Sequence, residues 1–240
     1  MNPDRDPIRL SKATSRVAFF FGALRPVLAA VLVLCILAPA VFAGDWRVRV
    51  EKALDGDTLV LVGGERLRLR GIDAPEVGHK GAPGQYYGPE AGKALSKLVE
   101  GRDIRLERDE LDRDRYGRLV GVARLGDGRL VNLAMIEQGA AFVYPHPSDK
   151  DSGLTTALHA AQVAAMAQGK GFWPGLMRSR AAEQSFVGNR NSRRFHVLSC
   201  PQGRTVKSAN RVRFSSLREA FAAGYAPARE CTPWPPQQGR

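Results

Sequence analysis

The stretch Asp55–Glu76, DGDTLVLVGGERLRLRGIDAPE, organises the whole chain. Asp55-Gly56 and Gly63-Gly64 are turn pairs, and the run between them, Thr58 to Val62, reads as a strand closed by a hairpin. Arg66, Arg68 and Arg70 alternate with Leu67 and Leu69, so the arginines share one face of the next strand and the leucines the other. Gly71 breaks that register just before Asp73. Upstream, Trp46, Val48 and Val50 alternate with Arg47, Arg49 and Glu51, the period of a half-buried strand. Three strands with two tight connections make a meander.

The elements that follow fit around it. Val77 to Tyr87 is a loop rich in Gly, Pro and polar groups. A helix then has Pro89 in its first turn, stops before Gly101 and repeats apolar residues at Ala91, Leu95, Leu98 and Val99. Asp103–Arg108 and Leu119–Leu125 read as strands flanking the charged turn LDRDRYGR. The pattern predicts a second helix capped by Asn132, with Val131 and Ile136 placed as a hydrophobic staple. A third runs from about Leu154 to Gln168, with Leu154, Leu158, Ala161 and Ala165 inward, and stops at Gly169 ahead of Trp173. Five strands with a helix between the third and fourth is the order of the oligonucleotide-binding (OB) barrel, an α+β fold here with about three helices.

The first 43 residues differ in kind. Arg5, Arg9, Lys12, Arg16 and Arg25 precede an uncharged run from Pro26 to Gly44, and Val41-Phe42-Ala43 fits a signal-peptidase site before Gly44. The expectation is a cleaved signal peptide over 1–43 and a periplasmic or secreted product; the alternative is an uncleaved inner-membrane anchor. Removing five of 36 basic and two of 24 acidic residues leaves 31 and 22, a net charge of +9. That excess suits a polyanion, since each neutralised phosphate releases condensed counterions, though charge alone decides little.

The carboxylates and arginines carry the chemistry. Asp57 and Asp73 lie at one end of neighbouring strands and repel unless a cation lies between them; oxygen ligands suit a hard ion such as Ca²⁺. Asp55 reads as a turn residue, and Arg66 and Arg70 as a solvated strand face. Glu76, on the rigid lead-in from Pro75, is placed to take a proton from an attacking water. Arg68 and Arg118 are placed for bidentate contacts to a phosphoryl group.

In order along the chain stand DGDT at Asp55–Thr58, R-x-x-x-x-D-x-P-E at Arg68–Glu76, YGPEA at Tyr87–Ala91, D-x-YGR at Asp114–Arg118, VN before a QG turn, and Phe-Val-Tyr at 142–144. Together these resemble the thermonuclease (staphylococcal-nuclease-like, micrococcal nuclease) family over about Val48 to Trp173. The resemblance implies a nuclease domain over 44–176. Asp57, Asp73 and the Ala74 carbonyl would be its Ca²⁺ ligands, Glu76 its general base, and Arg68 and Arg118 its phosphate clamps. Phe142 and Tyr144 would be the substrate-facing aromatic pair, with Tyr116 beside Arg118. It further implies Ca²⁺-dependent hydrolysis of DNA and/or RNA to 3′-phosphate products.

After Pro174 the composition turns to Arg, Ser, Asn and Gln, so 177–194 reads as a linker before a small α/β module over 195–240, with a capping box at Ser216–Glu219. That module resembles the zinc-binding module of alkylation-repair methyl-acceptor proteins, but Ala228 stands where a ligand cysteine is expected. Zinc held by His196, Cys200 and Cys231 is therefore weighed against a Cys200–Cys231 disulfide, the reading favoured in an oxidising compartment. His79, His146 and His159 receive no catalytic role. The competing function is a non-catalytic OB barrel that binds nucleic acid or a protein; such a barrel has no need of Asp57, Arg68, Asp73, Glu76 and Arg118 together.

Overall fold

Alternating side chains become the meander in the computed structural model, which describes residues 45–78, 81, 83–144, 152–231 and 234–235. The signal-peptide reading of 1–43 and the readings of His79 and His146 lie outside the described residues. Strands β1 (Asp45–Ala53), β2 (Thr58–Leu61) and β3 (Arg66–Leu69) pair antiparallel in sequence. Val50, Leu59, Leu61, Leu67 and Leu69 are buried, while Arg47, Arg49 and Arg66 face solvent. At Gly71 the backbone takes φ +77°, a left-handed turn that costs glycine nothing. It throws β4 (Ile72–Asp73) out of the sheet to pair with β9 (Phe142–Val143).

Helix α1 (Gly88–Val99) buries Ala91, Leu95 and Val99, the face its spacing predicts. Strand β5 (Asp103–Glu107) pairs with β1, and β6 (Asp112–Arg113) forms inside the charged turn. Leu119–Leu125, read as one strand, is two: β7 (Leu119–Gly121) lies parallel to β3, and β8 (Ala123–Arg124) antiparallel to β5. The sheet order is β6-β7-β3-β2-β1-β5-β8. Consecutive strands β7 and β8 thus sit near opposite ends of the sheet with Val122 alone between them, so the sheet curls until those ends meet. Seven short strands replace the five expected, because the last strand divides and the turn contributes β6.

Two helices close the curled sheet: α2 (Val131–Glu137) and α3 (Ser152–Ala167). Asn132 does not cap α2; Leu130 holds that position. Instead Asn132 is fully buried, its Oδ1 accepting from Ala123 N (3.1 Å) and its Nδ2 donating to Arg70 O (2.8 Å). It thereby joins β8 to the end of β3. Arg70, read as a solvated face, is likewise a tie: its guanidinium donates to Glu110 O (2.8 Å), Val120 O (3.2 Å) and Asp112 Oδ2 (2.7 Å).

After α4 (Trp173–Met177), a second sheet of order β12-β10-β11-β13 is built from β10 (Phe186–Asn189), β11 (Arg194–Val197), β12 (Arg211–Phe214) and β13 (Ala226–Pro227). Strand β10 lies inside the segment read as a linker and pairs with both β11 and β12. The C-terminal helices are α5 (Pro201–Arg204) and α6 (Leu217–Ala222). Ser216 Oγ caps α6 at Glu219 N (3.2 Å); Glu219 answers to Ser215 N (2.6 Å) rather than to Ser216.

The first hydrophobic core fills the curled sheet, around Leu59, Leu67, Leu95 and Ile104. A second joins Phe142, Phe172 and Trp173 to Phe186, Phe195, Phe221 and Trp234, and so is shared by the β4–β9 pair, the start of α4 and the C-terminal segment. Residues 44–240 form one compact unit. Cys200 and Cys231 are disulfide-bonded, which corrects the zinc alternative, because both sulfurs are consumed by the bridge. His196 is buried with Nδ1 3.4 Å from Cys200 Sγ.

Candidate active site

Two glycines let the acidic end of the sheet close up. A side chain at Gly56 would meet Ala74 Cβ at 2.6 Å and Ala91 Cβ at 2.8 Å, so the turn carrying Asp57 packs directly on β4 and α1. At Gly88 a Cβ would come within 2.3 Å of Glu76 O, so the start of α1 braces the Glu76 backbone. Gln85 completes the brace, its Oε1 accepting from Glu76 N (2.9 Å) and its N donating to Glu76 O (2.9 Å).

Within this frame Asp57 and Asp73 are both buried, 5% and 4% exposed, and Arg68 spans them. Its Nη1 pairs with Asp57 Oδ1 and its Nη2 with Asp73 Oδ1 (2.9 Å), while Nη2 also donates to Ile72 O (3.2 Å). Thr58 Oγ1 donates to Asp57 Oδ1 (2.8 Å) and Ala74 N to Asp57 Oδ2 (3.1 Å). Asp55 is the turn residue expected, accepting from Asp57 N at 2.9 Å, and it adds a third carboxylate.

Burial is the first influence on the proton affinity of all three acids. Burial pushes Asp55 up to about 7, helped by the charge of Asp57. Burial pushes Asp73 up to about 6, with Arg68 opposing the rise and Asp57 adding to it. Burial acts the same way on Asp57, but the Arg68 guanidinium outweighs it and holds that carboxyl below the usual range. Asp55 and Asp73 thus sit where burial disfavours their charged forms, while Arg68 keeps Asp57 ionised.

Arg118 is fixed separately. Asp114 Oδ2 accepts from Arg118 Nε (2.8 Å) and Nη2 (2.8 Å), and Oδ1 accepts from Arg118 N (3.0 Å) and Tyr116 N (2.9 Å). Burial would raise the Asp114 carboxyl, but the hydrogen bonds from Arg118 hold it low. Tyr116 is 59% exposed, its ring 5.6 Å from the Arg118 guanidinium. Arg68, Tyr116, Arg118 and Tyr144 line one cleft of about 900 Å³, which Arg194 and Arg229 of the C-terminal segment also line.

Asp57, Arg68, Asp73 and Ala74 are thus in direct contact. Glu76, 45% exposed, reaches Asp73 only through Arg229, whose Nη2 stands 3.6 Å from Glu76 Oε1 and 3.3 Å from Asp73 Oδ1. Phe142 is a correction: at 3% exposed it packs against Phe172, Phe221 and Trp234 and offers no face to a ligand. Tyr144 does border the cleft, with Arg68 5.6 Å from its ring centroid and Arg194 at 3.3 Å.

Residues 66–175 match the family described as Staphylococcal nuclease homologue. An uncharacterized endonuclease of Escherichia coli is 38% identical over 116 residues, covering 47% of this chain and 71% of that protein. A micrococcal nuclease of Shigella flexneri is 38% identical over 134 residues, covering 51% and 71%. The chain belongs to the staphylococcal nuclease homologue family. That places it among the nuclease hydrolases. A thermonuclease of Staphylococcus intermedius is 36% identical over 106 residues, 42% of this chain and 62% of the relative. The family match takes in Arg68, Asp73, Glu76 and Arg118 and begins after Asp57.

Three residues at this site had no role in the sequence reading. Asp114 was visible inside D-x-YGR, and its i, i+4 spacing to Arg118 was a usable sign. Arg194 and Arg229 had no local sign, because only the second sheet brings them to the cleft.

Proposed function

We propose that this chain hydrolyses phosphodiester bonds of nucleic acid in the cleft between Arg118 and Arg68, using Ca²⁺, and leaves 3′-phosphate ends. The observation that carries the reading is the pair of buried carboxylates held by Arg68, an arginine that itself lines the cleft together with Arg118, Arg194, Arg229, Tyr116 and Tyr144. In the same reading the curled sheet is the OB barrel and 1–43 is a cleaved signal that sends the enzyme to the periplasm or medium.

The fit to a hard cation rests on the donor set. Asp57 and Asp73 offer carboxylate oxygens to a hard ion, and Asp73, pushed up chiefly by burial and further by Asp57, is a carboxylate that an added cation would hold ionised. Among the described residues no group of three or more His, Cys, Asp or Glu side chains is arranged as a metal site. The Ala74 carbonyl and water would complete the ligand set, as the family resemblance implies. A bound Ca²⁺ supplies charge neutralisation at a phosphate oxygen.

The protein groups do the rest. Glu76 accepts the proton of the attacking water, a role its exposure and braced backbone permit. Arg118, held rigid by Asp114, donates to the phosphoryl oxygens, where charge grows in the transition state. Arg68, expected as a second phosphate clamp, has both Nη groups paired with Asp57 and Asp73; it lines the cleft and holds the two carboxylates at their spacing. Tyr116 and Tyr144 offer stacking faces to bases. Degradation of single-stranded DNA, duplex DNA and RNA with Ca²⁺, with Mg²⁺ and with chelator tests the proposal. Cleavage that needs Ca²⁺ is expected; binding without cleavage under every condition would leave the non-catalytic barrel.

A further inference from the structure

The cleft has a wall that lies outside the family match. Strand β13 runs parallel to β11, and Ala228 N donates to Phe195 O at 2.9 Å, which fixes the chain just before Arg229. Just after it, Cys231 is bonded to Cys200. Arg229 is thus pinned from both sides while its side chain remains 55% exposed. Its guanidinium reaches across to Asp73 Oδ1 (3.3 Å) and Glu76 Oε1 (3.6 Å), both contacts through Nη2. From the neighbouring strand Arg194 lies 3.3 Å from the centroid of the Tyr144 ring.

The Arg229–Glu76 pair is half-exposed, contributes little in water and exchanges readily for a better partner, while the buried Asp73 keeps its contact with Arg68. A phosphodiester is such a partner, because the planar fork matches two of its oxygens. An arginine resting on Glu76 also occupies the carboxylate that has to meet water. We infer that Arg229 is a substrate-contacting arginine of this active site, supplied by the C-terminal sheet. On binding single-stranded nucleic acid it leaves Asp73 and Glu76 for a phosphate, so one movement grips the substrate and uncovers the base. The inference rests on the nuclease reading of the cleft. It assigns the C-terminal segment a place in the active site, with the disulfide as the anchor of that place.

The test is equilibrium binding of a fluorescent single-stranded oligonucleotide in chelator, so that no turnover intervenes, as a function of salt. For single strands each phosphate contact adds roughly 0.7 to the slope of log affinity against log salt, so losing one costs about 5-fold at ~0.1 M salt. Arg229→Ala is expected to lower the slope by about 0.7 and raise Kd about 5-fold. Arg229→Lys should restore the slope and only part of the affinity. Arg229→Gln repeats the loss with the side chain's bulk kept, and Arg118→Ala serves as the reference for a cleft contact. Wild-type affinity and slope in Arg229→Ala beside a loss in Arg118→Ala would overturn this inference alone. Tighter binding by Arg229→Ala would also overturn it, by making the residue a plug. If Arg118→Ala is unchanged too, or the wild type does not bind, the nuclease reading of the cleft fails with it.

Discussion

Replacing Asp114 with alanine removes the acceptor that aims Arg118. Two charge-assisted contacts at 2.8 Å converge on Asp114 Oδ2, and the pair is one-fifth exposed. A hydrogen bond to a charged group contributes about 1.5–3 kcal/mol net, and solvent replaces part of a second one, so one such bond is the fair measure of the loss. At about 1.4 kcal/mol per tenfold this slows kcat by roughly 10- to 150-fold, with KM nearly unchanged because the arginine is still present. Asp114→Asn should fall between, since Oδ1 can still accept from Tyr116 N and Arg118 N. The decisive form is a double-mutant cycle under single-turnover conditions. Added to Arg118→Ala, Asp114→Ala should do almost nothing, because its effect runs through Arg118. Multiplicative losses would refute the positioning role. The pH dependence has a definite sign. The Asp114 carboxyl is lowered in the folded protein, so its pairing with Arg118 contributes fully above the unfolded pKa and is lost as pH falls through the folded value. Asp114→Asn should lack that acid-side loss.

Three further outcomes follow from the packing. Phe142→Ala, in the second core, should destabilise the protein by about 3–5 kcal/mol in denaturant unfolding and leave oligonucleotide affinity of the folded fraction unchanged; weakened affinity at full folding would restore Phe142 to the substrate surface. Asn132→Ala removes the side-chain partner of Ala123 N–H and of Arg70 C=O and should cost roughly 2–4 kcal/mol by the same measurement, whereas a cost of a few tenths would show that these two bonds add almost nothing to stability. Reducing the Cys200–Cys231 bridge, which spans 31 residues, should lower stability by about 3–4 kcal/mol; an unchanged midpoint on reduction would show that the bridge adds nothing to stability.

Much of this architecture was legible because short-range patterns encode it. Alternation in β1 and β3, the turn at Gly63-Gly64 and the i, i+4 face of α1 are local periodicities, and each side chain they assign inward is buried or, for Trp46, Val48 and Leu98, partly buried against the core. The site residues were legible because motifs in fixed order carry them. What failed is long-range. Asn132 looks like a cap, since Asn before an apolar run is one locally, yet its side chain serves Ala123 on the preceding strand and Arg70, which is far off in sequence. Phe142 is expected beside Tyr144 because the family resemblance pairs the two, but the C-terminal segment brings Phe221 and Trp234 over it. Arg70 has the spacing of a solvent-facing residue and instead finds three acceptors where β6 and β7 return. The polar composition of 177–194 hid β10, whose short apolar run is too brief to register against the arginines around it.

The central claim is that Glu76 takes the proton of the attacking water beside the Asp57–Arg68–Asp73 cluster. Its most direct test is turnover of a single-stranded oligonucleotide by Glu76→Gln in Ca²⁺, with the affinity for that oligonucleotide measured on the same preparation. The account predicts affinity close to wild type and turnover slower by roughly 10²–10⁴. Turnover at the wild-type rate would contradict it.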